Sequence, residues 1–299
     1  MKGEKMKRTA SYEILLALLF VLMPTLVSAS DGHDKNNQEK TGILLVAFGS
    51  SEESALISFE TIEKAVKSAY PDIPLRWAYT SHIIRKKLAK QGKLIDSPET
   101  ALSKMMDENF THIVVQSLHT IDGEEYHDLI RTVESFKQMG GFRRIAIGSP
   151  LLSTQKDMNR SVDAVMGIIP SERKQNEAVV LMGHGTHHPA NAFYAALMFQ
   201  IQLKDPNIFV GTVEGYPDID LIKEMLTYKK IKKAYLIPFM SVAGDHAKND
   251  MAGDEDDSWK SVLTRSGIEC VPILRGTGEN KAFVNIWIDH IDKTLKHFK

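Results

Sequence analysis

Eight short apolar runs, rich in β-branched residues and separated by longer amphipathic stretches, leave this chain few folds to choose from. The first four are "GILLVAFGS" (42–50), "LRWAYTS" (75–81), "THIVVQSL" (111–118) and "RRIAIGS" (143–149). The second four are "AVVLMGHG" (178–185), "NIFVGTVEG" (207–215), "KAYLIPFMSV" (233–242) and "ECVPILRG" (269–276). A strand with one wet face alternates apolar and polar residues. Continuously apolar runs must be covered on both faces, as in parallel sheets wrapped by their own crossover helices. Stretches such as 54–69 and 98–109 have the helical spacing to supply that cover. The expected class is therefore α/β, with ligands at the carboxyl ends of strands.

The two sets of runs read as copies. Each opens with a strand that ends in Gly-Ser or Gly-His-Gly. Each third run leads to a glycine followed by an acid, in "SLHTIDGEEYHD" and in "FMSVAGDHAKND". Aligned there, Gly123 matches Gly244, Glu124 matches Asp245 and Glu125 matches His246. A repeat of roughly 125–135 residues implies two duplicated α/β domains facing each other across a cleft. The expected halves are residues 41–165 and 166–299, the second carrying the site.

Composition narrows the function classes. Net charge is −1, which gives no electrostatic footprint for nucleic acid. The single cysteine, Cys270, excludes an intramolecular disulfide and any multi-cysteine metal site. Residues 1–29 run from a cationic start through "ILLALLFVLMPTLV" to the small residues of "VSAS". That order predicts a signal peptide, export to the periplasm and no stable membrane insertion after cleavage. Residues 30–40 are polar, as in a leader without fixed structure. A homo-oligomer is expected on general grounds.

Three second-half runs end on, or lead to, a side chain able to bind metal. These are His184, between Gly183 and Gly185, Glu214 in "GTVEGYPD", and His246 in "AGDHAKND". Parallel strands gather their carboxyl ends at one edge, so these residues are expected to converge. Two imidazoles and a carboxylate form a donor set for a divalent ion such as Co²⁺, Fe²⁺, Ni²⁺ or Zn²⁺. The flanking glycines are expected to bend the backbone sharply and leave room for a flat ligand at His184.

His119 ends a first-half run and is a candidate substrate contact, with Glu124 and Glu125 beside it. His127 reads as a helix-surface residue, or as a ligand for haem or for a metal between subunits. His187 and His188 read as residues near a helix start. "GDEDDSW" (253–259) reads as a solvated acidic turn, and Arg85, Lys86 and Lys87 as a solvated helix face.

Taken in order, "LLVAFGSS", "QSLHTIDGEEYHDL", "VLMGHGTHHPAN", "GTVEGYPD", "IPFMSVAGDHAKNDMAGDEDDSWK" and "RGTGEN" resemble the cobaltochelatases of the CbiK type. The resemblance implies a ferrochelatase-like fold, in which each half is a four-stranded parallel sheet flanked by helices. It implies ATP-independent insertion of Co²⁺ into sirohydrochlorin, with His184, Glu214 and His246 at the metal. Alternatives with the same residues are Fe²⁺ insertion into sirohydrochlorin, or a non-enzymatic periplasmic carrier of metal, haem or tetrapyrrole. Members of this family usually work in the cytoplasm, so the export signal is a departure.

Overall fold

The structure, a computed structural model, describes residues 39–298. The expected signal peptide and nearly all of the expected leader lie outside the described residues. The first half comprises β1 (Thr41–Ala47), α1 (Leu56–Ala69), β2 (Leu75–Tyr79), α2 (His82–Lys90), α3 (Pro98–Asp107), β3 (His112–Ser117), α4 (Glu124–Gln138) and β4 (Arg144–Gly148). Helix α5 (Gln155–Met166) leads to β5 (Ala178–Gly185), α6 (Ala192–Gln202), β6 (Ile208–Glu214), α7 (Ile219–Tyr228) and β7 (Lys233–Pro238). Last come α8 (Trp259–Arg265), β8 (Glu269–Pro272) and α9 (Lys281–Lys296).

All eight predicted runs form strands, and every pairing is parallel. The sheets have orders β2-β1-β3-β4 and β6-β5-β7-β8. These are the same arrangement used twice, so the fold is the expected pair of helix-flanked four-stranded parallel sheets. Several strands are shorter than the runs that predicted them. Phe239–Val242 and Ile273–Gly276 have left the ladder and form loops at the carboxyl edge.

The pleat explains why the runs are apolar throughout. Ile43 and Leu45 of β1 join Val179 and Leu181 of β5 in one core shared by both sheets. Their neighbours Leu44 and Val46 pack with α3 and α4, while Val180 and Met182 pack with α7 and α8. The central strands thus bury both faces, one towards the other half and one towards their own outer helices.

Helix α9 ties the halves together. It packs on β3, β4 and α5, so the end of the chain covers the first sheet across the expected boundary at 165/166. Trp287, Phe283 and Ile291 on its buried face are each at most 1% exposed. His290, on the same face, places Nδ1 2.9 Å from the Ser149 carbonyl and Nε2 3.2 Å from Asp157 Oδ2. Burial lowers the pKa of this imidazole, against the pull of the Asp157 carboxylate.

Candidate functional site

In each sheet the chain leaves its first strand to one side and later returns on the other. Such a reversal opens a crevice beyond the carboxyl ends of the two strands that flank it. In the second sheet those strands are β5 and β7; β5 carries His184 near its end, and the loop after β7 leads to His246. The two rings lie 4.7 Å apart, centroid to centroid, edge to face. In the first sheet the flanking strands are β1 and β3, which lead into Phe48 and His119. The Phe48 ring is 5.8 Å from that of His184, and His119 is near enough for its charged state to be opposed by His184. The two crevices therefore face one another, and His184 stands where they meet.

The hydrogen bonds of the two imidazoles say which nitrogen is available. His246 Nδ1 lies 2.6 Å from Asp250 Oδ2, and a carboxylate can only accept, so Nδ1 carries the proton. His184 Nδ1 likewise faces the Gly185 carbonyl at 3.1 Å. Both rings are left with Nε2 as the lone-pair nitrogen. An imidazole whose other nitrogen donates to an oxygen is the usual arrangement of a metal-ligating histidine. His188 is the opposite case. Its Nδ1 accepts from the Ala190 amide at 3.2 Å and caps the turn at Pro189–Asn191, as the expected position near a helix start requires.

The glycines around His184 meet one of the two expectations: Gly185 bends the backbone, but neither glycine opens space. A Cβ on Gly183 would sit 2.4 Å from the Tyr194 ring, and one on Gly185 would sit 1.6 Å from the Glu214 carbonyl oxygen. Gly185 also holds φ at +83°. The space is taken by protein, not left open to a flat ligand. Tyr194, fully buried, places its hydroxyl near the backbone of His184 and Gly185 and near Thr120. Burial pushes that hydroxyl's pKa up to about 12, so it stays a neutral strut beneath the bend.

Glu214 ends β6 opposite Gly185 in the strand register, but its side chain is exposed. Among the described residues no three His, Cys, Asp or Glu side chains are drawn together tightly enough to hold a metal ion. The structure thus joins His184 and His246 and leaves Glu214 at the rim. His119 pairs Nδ1 with Ser117 Oγ at 2.8 Å, and its Nε2 is shielded and without a partner. Burial, with His184 adding, lowers its pKa to about 4, so it is neutral at ordinary pH.

Glu124 and Glu125 are exposed in the first turn of α4. His127 lies one turn on, its Nε2 2.9 Å from Asp122 Oδ1 and its ring 4.9 Å from that of His188. The acidic turn is solvated as expected, with Asp254 paired to Lys260 and Asp256 to Arg265.

Sequence reasoning passed over Phe48, Asp250 and Glu52. Phe48 alone carried a signal, as a large aromatic at the end of a strand. Asp250 depends on a five-residue π-turn, Ala247–Met251, which closes on His246. Such turns are uncommon and cluster at functional sites. Glu52 follows β1 and meets Lys248 of that turn at 2.9 Å and Lys87 of α2 at 3.5 Å. The hydrogen bond from Lys248 holds its carboxyl below the usual carboxylate range, against partial burial and with help from Lys87. Asp250→Ala is expected to weaken binding of a divalent ion about 10–100-fold, the usual loss for an outer-shell partner. Asp250→Asn, whose carbonyl oxygen still accepts, retains most of it. Titration with Co²⁺ checks both, and an alanine variant that binds like the parent removes the role.

Comparison with known proteins bears on the whole described region. Residues 41–296 match the family described as Cobalt chelatase (CbiK). The chain is 45% identical over 252 residues to the sirohydrochlorin cobaltochelatase CbiKC of Nitratidesulfovibrio vulgaris (strain Hildenborough), covering 84% of this chain and 89% of that one. It is 38% identical over 258 residues to the sirohydrochlorin cobaltochelatase of Salmonella typhimurium (strain LT2), covering 86% and 97%. Among solved structures, SirB from Bacillus subtilis with Fe³⁺ superposes with a TM-score of 0.57 at 15% identity, covering 85% and 95%. CbiX, titled the terminal enzyme for biosynthesis of siroheme in denitrifying bacteria, gives 0.52 at 15%, covering 86% and 98%. At that identity the two structures speak for the fold alone.

Proposed function

The chain belongs to the cobalt chelatase (CbiK) family, and from that premise we propose that it inserts Co²⁺ into sirohydrochlorin without ATP. One observation carries the reading beyond the family: the paired imidazoles of His184 and His246, each with Nδ1 tied to an oxygen and Nε2 free. The cobalt ion is a substrate here, and it must be released as readily as it is held. Two neutral nitrogens on half-exposed side chains suit that demand better than a closed cage. They exchange for hydration water one at a time and give up the ion as readily.

Insertion replaces two pyrrole N–H protons by one divalent ion, so two protons must leave as the metal enters. His119 is too weak a base for this with a pKa of about 4; its unpartnered Nε2 instead offers a fixed neutral contact. Glu214 is the reading's proton acceptor, or a third ligand once the ion is present. Its exposed carboxylate and its backbone place beside the His184 bend support that role. Phe48, 38% exposed and beside His184, offers an apolar surface for the macrocycle. The cationic, apolar and small-residue order of residues 1–29 supports export to the periplasm.

Purified protein mixed with sirohydrochlorin and Co²⁺ is expected to turn over catalytically, followed by the absorption change of metallation. Stoichiometric binding without turnover would instead identify a carrier, and faster turnover with Fe²⁺ would identify an iron-inserting enzyme. Glu214→Gln keeps the shape and removes charge and basicity. It is expected to slow the rate about 100-fold, within the range of a lost general base. An unaltered rate across pH 6–9 would exclude that role.

A further inference from the structure

A cavity of about 620 Å³ opens beside the His246 turn, lined by Glu52, Glu53, Gln91, Lys93, Lys248 and Leu274 among others. Its walls come from the turn after β1, the end of α2, the π-turn and the loop after β8. Glu52 lies deepest in charge terms. Its side chain is 17% exposed, while Lys87 and Lys248, which it faces from either side, are 51% and 59% exposed. One carboxylate is thus set between two ammonium groups, with the lysines outermost. In the lining Lys93 and Lys248 balance Glu52 and Glu53, so the lysines turn to another anion only when Glu52 gives up its place.

Resting on the chelatase reading above, we propose that this cavity is a subsite for the acidic side chains of the tetrapyrrole, and that Glu52 stands in for a substrate carboxylate until one arrives. Three features support it. Lys248 is two residues from His246, so whatever it holds lies beside the metal-bearing ring. Exposed ion pairs contribute little on their own, so exchanging one carboxylate for another between the same lysines is cheap. The apolar Leu274, 41% exposed on the wall, gives the edge of a macrocycle a surface to rest on.

The sign of one substitution separates this from a purely structural clasp between the halves. Equilibrium binding of metal-free sirohydrochlorin to the full chain, read by tryptophan fluorescence, needs no turnover. Glu52→Gln removes the internal competitor and is expected to tighten binding about three- to tenfold, while Lys248→Gln and Lys87→Gln weaken it by a similar factor. The gain and the losses should both shrink as salt is raised. A structural clasp predicts the same direction for all three variants, with thermal midpoints falling together. Unchanged or weaker binding by Glu52→Gln, or unchanged binding by Lys248→Gln, overturns the proposal. A parent protein that binds sirohydrochlorin but never metallates it overturns the chelatase reading alone. Failure of the parent to bind sirohydrochlorin overturns both.

Discussion

Replacing either His184 or His246 by alanine is expected to cut cobalt insertion by more than about 100-fold, beyond the loss typical of an outer-shell partner. The far-UV circular dichroism should not change. His184 hydrogen-bonds only to its own neighbour's carbonyl, and His246 only to Asp250 in the same turn. Neither side chain is part of the core, and both stand at the lip of a crevice. The partner left by His246, the Asp250 carboxylate, is 46% exposed and can turn to water, so no buried unpaired charge results, the usual route from a polar deletion to unfolding. A variant that keeps near-parental turnover would show that the ion enters elsewhere.

Gly185→Ala is expected to be as damaging by a different route. The new Cβ would lie 1.6 Å from the Glu214 carbonyl oxygen, and φ is already +83°. Backbone cannot swing aside as a side chain does, so β5 and β6 must part at their carboxyl ends. Strain at positive φ together with the lost strand contacts should cost about 3 kcal/mol or more. For a chain of this size that lowers the thermal midpoint by roughly 6 °C or more. Activity should fall as well, because the parting strands carry His184 and Glu214. Gly267→Ala is the control. It shares a positive φ of +76°, but nothing lies within 4 Å of the added carbon. The strain there, about 1–2 kcal/mol, is expected alone. Equal behaviour of the two variants would mean that the close approach at Gly185 is relieved at no cost.

How far such features could be read beforehand depended on how local their causes are. The eight strands were legible because burial on both faces leaves an unbroken apolar run, as Ile43–Ala47 and Ala178–Met182 show. Where a run overshot at Phe239–Val242, Phe239 and Val242 stay apolar after leaving the ladder because they pack in the core shared by both sheets. His184 and His246 were legible because strand ends converge in any parallel sheet. The position of Glu214 was legible, but the exposure of its side chain was not. Glu52 with Lys248 brings together residues 196 apart in sequence, and no local pattern records such a meeting. The route of α9 was equally hidden, since an amphipathic stripe shows that a face is buried without showing which sheet buries it.

That route has a consequence for synthesis. The first sheet waits for Trp287 and its neighbours to close one of its faces. A ribosome making this chain must therefore reach α9 before the inner face of β3 and β4 is shielded from water. Until then the nascent N-terminal half presents an uncovered apolar face, which is a state that a chaperone or a secretion machine can hold.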